Sequence, residues 1–202
     1  WADPNWDHLP GTDGIERALV DMLMATAAEL SDGIREAVIG QLWEQVLHPA
    51  RLAAYAAWVE KALAQTGARG EDWVIGYLST ADERALIERG GNVASGAIVL
   101  SDRLLVGPKA KRHQTAGNAL NADEWKQVPQ LLAKPEAVLY GTINRTLLYV
   151  LPSQDGRKTK IVVEGGRTER KRGSYDSVRA AFKVDASSLS RGQFELVRGK
   201  LE

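Results

Sequence analysis

The 202-residue chain contains no cysteine, which excludes disulfides, thiolate metal ligands and a cysteine nucleophile. It has only three histidines, so any imidazole chemistry rests on His8, His48 or His113. No apolar run approaches the roughly 20 residues that a membrane-spanning helix needs, and no charged start followed by an apolar core marks a signal peptide. A soluble protein without a membrane partner is therefore expected, and a first residue other than Met suggests a longer parent chain. Also missing are a GxxxxGK[ST] loop, a GxGxxG turn after a strand, HExxH and GxSxG, so nucleotide hydrolysis, dinucleotide binding, zincin and α/β-hydrolase chemistry lack their signatures. No paired histidines or clustered carboxylates suggest a metal, and no cofactor is expected.

What is present is a globular composition, 44% apolar and 26% charged, with no bulk disorder. The net charge of zero hides an asymmetry. Residues 1–96 carry 7 Lys and Arg against 15 Asp and Glu, so 7 − 15 gives −8. Residues 97–202 carry 19 against 11, which gives +8. Two such halves can attract one another, or the basic half can meet a polyanion.

The first eleven residues, WADPNWDHLPG, have no helical or strand period and read as a linker in which His8 is an ordinary exposed histidine. Helix formers dominate residues 12–67. Thr12 can cap a first helix with Ile15, Leu19, Met22 and Leu23 on one face. Ser31-Asp32-Gly33 breaks it, and a second helix carries Ile34, Val38, Leu42 and Val46. That helix is expected to end at His48-Pro49, with His48 as a cation at its C-terminus. A third helix is predicted over 51–65, with Trp43 and Trp58 as core residues. Residues 71–78 fit a strand or a helical turn, and periodicity does not decide between them. Thr80 and Glu83 have capping-box spacing, which predicts a helix over 81–89 ending at Gly90-Gly91. A boundary near Gly96 would close a helical domain over 12–96.

Residues 97–133 are the pivot. A short β-type run leads through Gly107-Pro108 into a basic cluster, Lys109, Lys111, Arg112 and His113, and then into an amphipathic helix containing Trp125, Val128 and Leu132, with Pro129 in a first turn or at a kink. Four β-type runs follow, at 137–142, 146–151, 157–164 and 176–185. Their short connections imply antiparallel pairing. The fold class predicted is α+β, a helical region followed by a small antiparallel sheet with helices on one face. Alternation in the last two runs sets Val178, Ala180, Phe182 and Val184 against the helices and turns Lys160, Arg179 and Lys183 together toward solvent or a ligand.

Residues 157–172, RKTKIVVEGGRTERKR, hold seven cations against Glu164 and Glu169. That density suits a surface tracking a phosphate backbone, and a solvated hairpin with a mobile basic tip fits it too. Lys109, Lys111, Arg112, Lys158, Arg170, Lys171 and Arg172 are the candidate nucleic-acid contacts. Metal-independent RNA cleavage needs a proton acceptor, a proton donor and cations at the charged phosphorane. His113 among like charges has its positive form disfavoured, which suits a base. Lys160, Arg179 and Lys183 supply the cations, and Glu164 is an alternative base.

Two segments carry a resemblance. DPNWDHLPG resembles the segment that follows the core domain in Mu F-type phage head morphogenesis (minor capsid) proteins, with Asn5 in place of the usual glycine. IVLSDRLL, KRH and EWKQVPQLLAKPEAVLY look like the start of the phage domains of the barnase, EndoU, colicin E5/D and RelE-like nuclease superfamily, in which a strand leads to a helix bearing a basic residue and histidine. Gln114-Thr115 stand where Pro and an acidic residue usually follow that histidine. The resemblance implies a nuclease-fold domain over 97–202 and a metal-independent endoribonuclease with His113 at its centre. RNA, more than DNA, would be its nucleic-acid partner, phage head or portal proteins its neighbours, and an immunity protein a further partner, in the virion or the host cytoplasm. The alternative from another class is a non-catalytic module of a phage head or portal whose basic face contacts nucleic acid or a neighbouring subunit.

Overall fold

The computed structural model describes residues 48–169, 173–189 and 192–201. In chain order its elements are α1 (His48–Leu63), β1 (Asp72–Tyr77), α2 (Thr80–Glu88), β2 (Ala97–Ser101), the single turn α3 (Arg103–Val106), α4 (Pro108–Thr115) and α5 (Ala122–Ala133). There follow β3 (Ala137–Gly141), β4 (Thr146–Pro152), β5 (Lys158–Glu169), β6 (Gly173–Val184), a 3-10 turn (Ala186–Ser188) and β7 (Phe194–Gly199). The linker expected over 1–11, His8, Trp43 and the helices expected over 12–47 lie outside the described residues.

β4, TLLYVLP, is buried over residues 146–151, and β3 is buried throughout. Strands flanked by neighbours and covered on both faces read as unbroken apolar runs, whereas half-covered β5 alternates along its first half. The strands form one seven-stranded sheet in the order β1-β2-β6-β5-β4-β3-β7. The three hairpins from β3 to β6 are antiparallel, as their short connections require. The pairing of β2 with β6 is parallel and forms only after the chain has passed through three helices and three strands. The class is α+β.

Register separates two faces. One bears Leu147, Tyr149, Leu151 and Ile161 and meets α2 and α5: the Tyr149 hydroxyl donates to Asp82 of α2 at 2.9 Å, and Lys183 Nζ lies 3.1 Å from Glu124 of α5. The other holds a second core of Ala137, Leu139, Leu148 and Val150 under Leu189, with Val162, Val184 and Phe194 at its margin.

The chain divides into compact units between Trp58 and Val59, inside α1. The described part of the first is the start of α1, where Tyr55 stacks on Trp58 with ring centroids 5.8 Å apart. In the second, the sheet crosses the boundary expected at Gly96, since β1 pairs with β2 from Asp72↔Ser101 to Tyr77↔Ala97. Of residues 71–78, for which strand and helical turn were both open, Asp72–Tyr77 form a strand. β7 was absent from the sequence expectations.

Helix ends differ from expectation by identifiable causes. His48 and Pro49, where a helix was expected to end, are themselves helical, within α1 as described from His48; the helix that was expected to end there lies outside the described residues. The cap of α2 is Ser79, one residue before the expected Thr80, and it exchanges hydrogen bonds with Asp82, not Glu83. α5 is capped in the same way by Asn121 and Glu124, and it accommodates Pro129 in its interior.

Asp176, fully buried, holds the β2–β6 junction. Its Oδ1 accepts from the amides of Ala94 (3.0 Å) and Gly166 (2.7 Å), and its Oδ2 from those of Ser95 (3.2 Å) and Gly96 (2.7 Å). Gly166 can present its amide because it adopts φ 63° and lies against Asn92, with which a Cβ would clash. Gly166→Ala is therefore expected to cost about 2–4 kcal/mol in urea unfolding, from left-handed backbone strain plus overpacking. Gly156→Ala, at φ 81° with open space around it, should cost only the strain, about 1–2 kcal/mol.

Candidate functional site

Lys109, Arg112 and His113 stand at i, i+3 and i+4 of α4, so they share one helical face. That face runs along β6. At one end Lys109 Nζ donates to the Arg179 carbonyl oxygen. At the other the His113 ring stacks on Phe182, with centroids 4.7 Å apart and planes 10° from parallel. His113 Nδ1 lies 2.9 Å from Asn118 Oδ1. The Asn118 carbonyl accepts from the Lys183 amide at 2.7 Å, and the Gly117 carbonyl accepts from Arg157 Nη2 at 3.0 Å. The loop that tethers His113 is thereby clipped to the flank of β6. In the tautomer that donates from Nδ1 to Asn118, Nε2 is the acceptor.

Lys160 is the register partner of Phe182, so it shares the sheet face on which His113 stacks. Its Nζ lies 5.4 Å from the Phe182 centroid and 4.8 Å from that of Phe194. These are the only two phenylalanines of the chain, and both engage the same ammonium through their ring faces.

The grouping of Lys160, Arg179 and Lys183 expected from alternation is corrected by the register. Thr159 pairs with Lys183 and Lys160 with Phe182, so Lys183 points to the opposite, helical face. There its Nζ contacts Glu124 at 3.1 Å and Asp155 at 3.0 Å, and its side chain is 10% exposed. Arg179 sits in a bulge: Val162 pairs with Ala180 and Val163 with Val178, so Arg179 is skipped. The same bulge puts Val178 on the face of Val163, not with Ala180 and Phe182. Arg179 Nε lies 3.1 Å from Glu164 Oε2, so Glu164, named as an alternative base, is a counter-ion here. Lys158 pairs with Glu136 at 2.7 Å. Lys111 and Arg112 are exposed on α4, and Arg170, Lys171 and Arg172 lie outside the described residues.

The cations near α4 act on one another. Burial, then the charges of Arg112 and Arg167, hold Lys109 below its ordinary value. Arg167 also lies 3.6 Å from Glu164 and 3.0 Å from Glu169. On the helical face, burial alone would raise the carboxyls, but hydrogen bonds reverse it. Arg198 and Ser79 hold Asp82 below the usual range, and the Asn121 amide, Ser153 and Lys183 do so for Glu124. Burial would lower Lys183, yet Asp155 and Glu124 keep it above its ordinary value.

Sequence reasoning missed Asn118, because a side-chain partner across a loop has no periodic signature. It also missed Phe194, which falls outside the expected strands. The scarcity of phenylalanine was the available signal.

No family model matches the chain, and no solved structure does. Curated phage proteins do. Over 99% of its length the chain is 25% identical to the putative capsid assembly protein F of Escherichia phage Mu, and over 75% it is 27% identical to the Mu-like prophage FluMu F protein of Haemophilus influenzae. The chain is thus similar to Mu F proteins over most of its own length. It spans less than half of these relatives, 44% and 38% of their lengths. The similarity agrees with the Mu F side of the resemblance drawn from DPNWDHLPG.

Removing Lys183 leaves Glu124 buried without its cation, so Lys183→Ala is expected to cost about 3–5 kcal/mol in urea unfolding. The lowered carboxyls set the pH dependence. A carboxyl whose folded value is depressed contributes stability that is fully present above its unfolded value, about 4. The contribution is lost as pH falls through the folded value. Urea midpoints should therefore fall in acid below that point, and Asp82→Asn should flatten part of the decline.

Proposed function

We propose that this region is a non-catalytic interaction module of a phage head or portal assembly, and that its basic face along α4 and β6 contacts nucleic acid. The observation that carries this reading is the dispersal of the cations a nuclease would need. Metal-independent cleavage requires an acid, a base and cations converging on one phosphate. Lys183 is instead neutralised by Glu124 and Asp155 on the far face, Lys160 lies over two rings, and Arg179 is paired with Glu164. The particle context comes from the name of the phage Mu relative, a putative capsid assembly protein. Head or portal proteins are then its neighbours, in the virion or the host cytoplasm. Among the described residues no helix is long and apolar enough to cross a membrane.

One observation favours a second reading. His113 is held by Asn118 and Phe182 on the face it shares with Lys160, as a positioned base would be in the metal-independent endoribonuclease of the nuclease-fold resemblance, with an immunity protein as its partner.

Incubation with RNA in EDTA separates the two. The chain is expected to leave RNA intact while retaining it in a salt-dependent manner, and Lys111→Ala with Arg112→Ala should weaken retention and flatten the salt dependence. Cleavage by the wild type that disappears in a folded His113→Ala variant would replace the module with the enzyme.

A further inference from the structure

Glu164 is a carboxylate set among cations. Its Oε2 lies 3.1 Å from Arg179 Nε and 3.6 Å from Arg167 Nη1, and Lys109, fixed on the Arg179 carbonyl, stands close enough to Arg167 and Arg112 to be repelled by both. Two register slips create the arrangement, one between Val162 and Val163 and one between Glu164 and Arg167. The first skips Arg179, and the second brings Arg167 back toward Glu164. Glu169 takes the other terminal nitrogen of Arg167 at 3.0 Å. Four cations, Lys109, Arg112, Arg167 and Arg179, thus face two carboxylates, and 4 − 2 leaves the patch at +2.

A carboxylate and a phosphodiester present the same thing to a guanidinium: two equivalent oxygens sharing one negative charge. The side chains of Glu164, Arg179 and Arg167 are 38%, 42% and 32% exposed, yet Glu164 Oε2 itself is covered and completes no hydrogen bond with either guanidinium; ion pairs between side chains so exposed contribute little, so another anion can take the position. We propose that Glu164 is an internal stand-in for a nucleic-acid phosphate, displaced when a backbone phosphate settles on Arg179 and Arg167. This rests on the nucleic-acid-contacting reading above and adds to it the place of contact and a built-in competitor that keeps affinity low. A phosphate group on its own does not distinguish RNA from DNA, so both serve as probes.

The test is fluorescence anisotropy with a labelled single-stranded RNA and a labelled DNA duplex across a salt series. Glu164→Gln is expected to tighten binding about fivefold at low salt and to steepen the slope of log affinity against log salt, because one more phosphate is neutralised. Arg179→Gln should weaken binding and flatten the slope. Glu195→Gln, which removes the same charge from an ion pair with Arg89, controls for net charge and should change affinity by less than about twofold. Tightening confined to RNA or to the duplex identifies the strand type that reaches the patch.

Equal effects of Glu164→Gln and Glu195→Gln, or wild-type binding that Glu164→Gln leaves unchanged, would overturn the stand-in while sparing the nucleic-acid reading. Absence of binding by both wild type and Glu164→Gln at low salt would overturn both, as would binding of polyglutamate in preference to either nucleic acid. A second measurement does not depend on a folded variant: in the wild type, RNA titration should shift the Arg179 Nε–H resonance in NMR spectra, and an unmoved resonance at saturation counts against displacement.

Discussion

The register of β5 against β6 is the constraint from which the surface chemistry follows. Because side chains alternate along a strand, one skipped residue decides which face each later side chain occupies. Pairing Lys160 with Phe182 and Thr159 with Lys183 sends two lysines of similar sequence context to opposite environments. One lies over Phe182 and Phe194, the first of which also carries the His113 ring; the other is buried against Glu124 and Asp155. The bulge at Arg179 then delivers a guanidinium to Glu164 that unbroken alternation would have sent to the other side of the sheet. Bulges of this kind re-aim a side chain at the cost of a local break in the ladder.

Buried carboxylates fasten the rest. Asp176 collects four backbone amides where the loop before β2 meets the β5 bulge. Asp102 accepts from the amides of Arg69 and Gly70 ahead of β1. Asp82 serves three purposes, returning the cap of α2, accepting the Tyr149 hydroxyl and receiving two nitrogens of Arg198. Glu124 joins the start of α5 to the turn after β4 and to Lys183. A buried carboxylate is tolerable only when its acceptor positions are filled, and here the filling groups come from segments far apart in sequence. Each carboxylate therefore acts as a staple between elements.

This explains what could be read from the residues alone. The antiparallel hairpins from β3 to β6 and the helices around Trp58 and Trp125 were visible because apolar periodicity and short turns are local properties. β1 was ambiguous because a six-residue buried strand and a helical turn share the same pattern. β7 escaped notice because FELVRG is short and half exposed. The direction of Lys183 was misread because alternation gives two faces within one strand but does not say which face of the next strand matches. That requires the pairing, and a bulge breaks the inference at Arg179. That His113 and Lys160 both meet Phe182 was not legible, because Phe182 and Asn118, which hold the imidazole, carry no charge and do not repeat.

The outer strand β7 carries its own safeguard. Its pairing with β3 is bulged between Val138 and Leu139, and its charged residues are turned back onto α2, Arg198 to Asp82 and Glu195 to Arg89. Bulges and inward-turned charges blunt a border strand as a template for further strands. Molecules carrying this domain can consequently be crowded together without their sheets joining through this border.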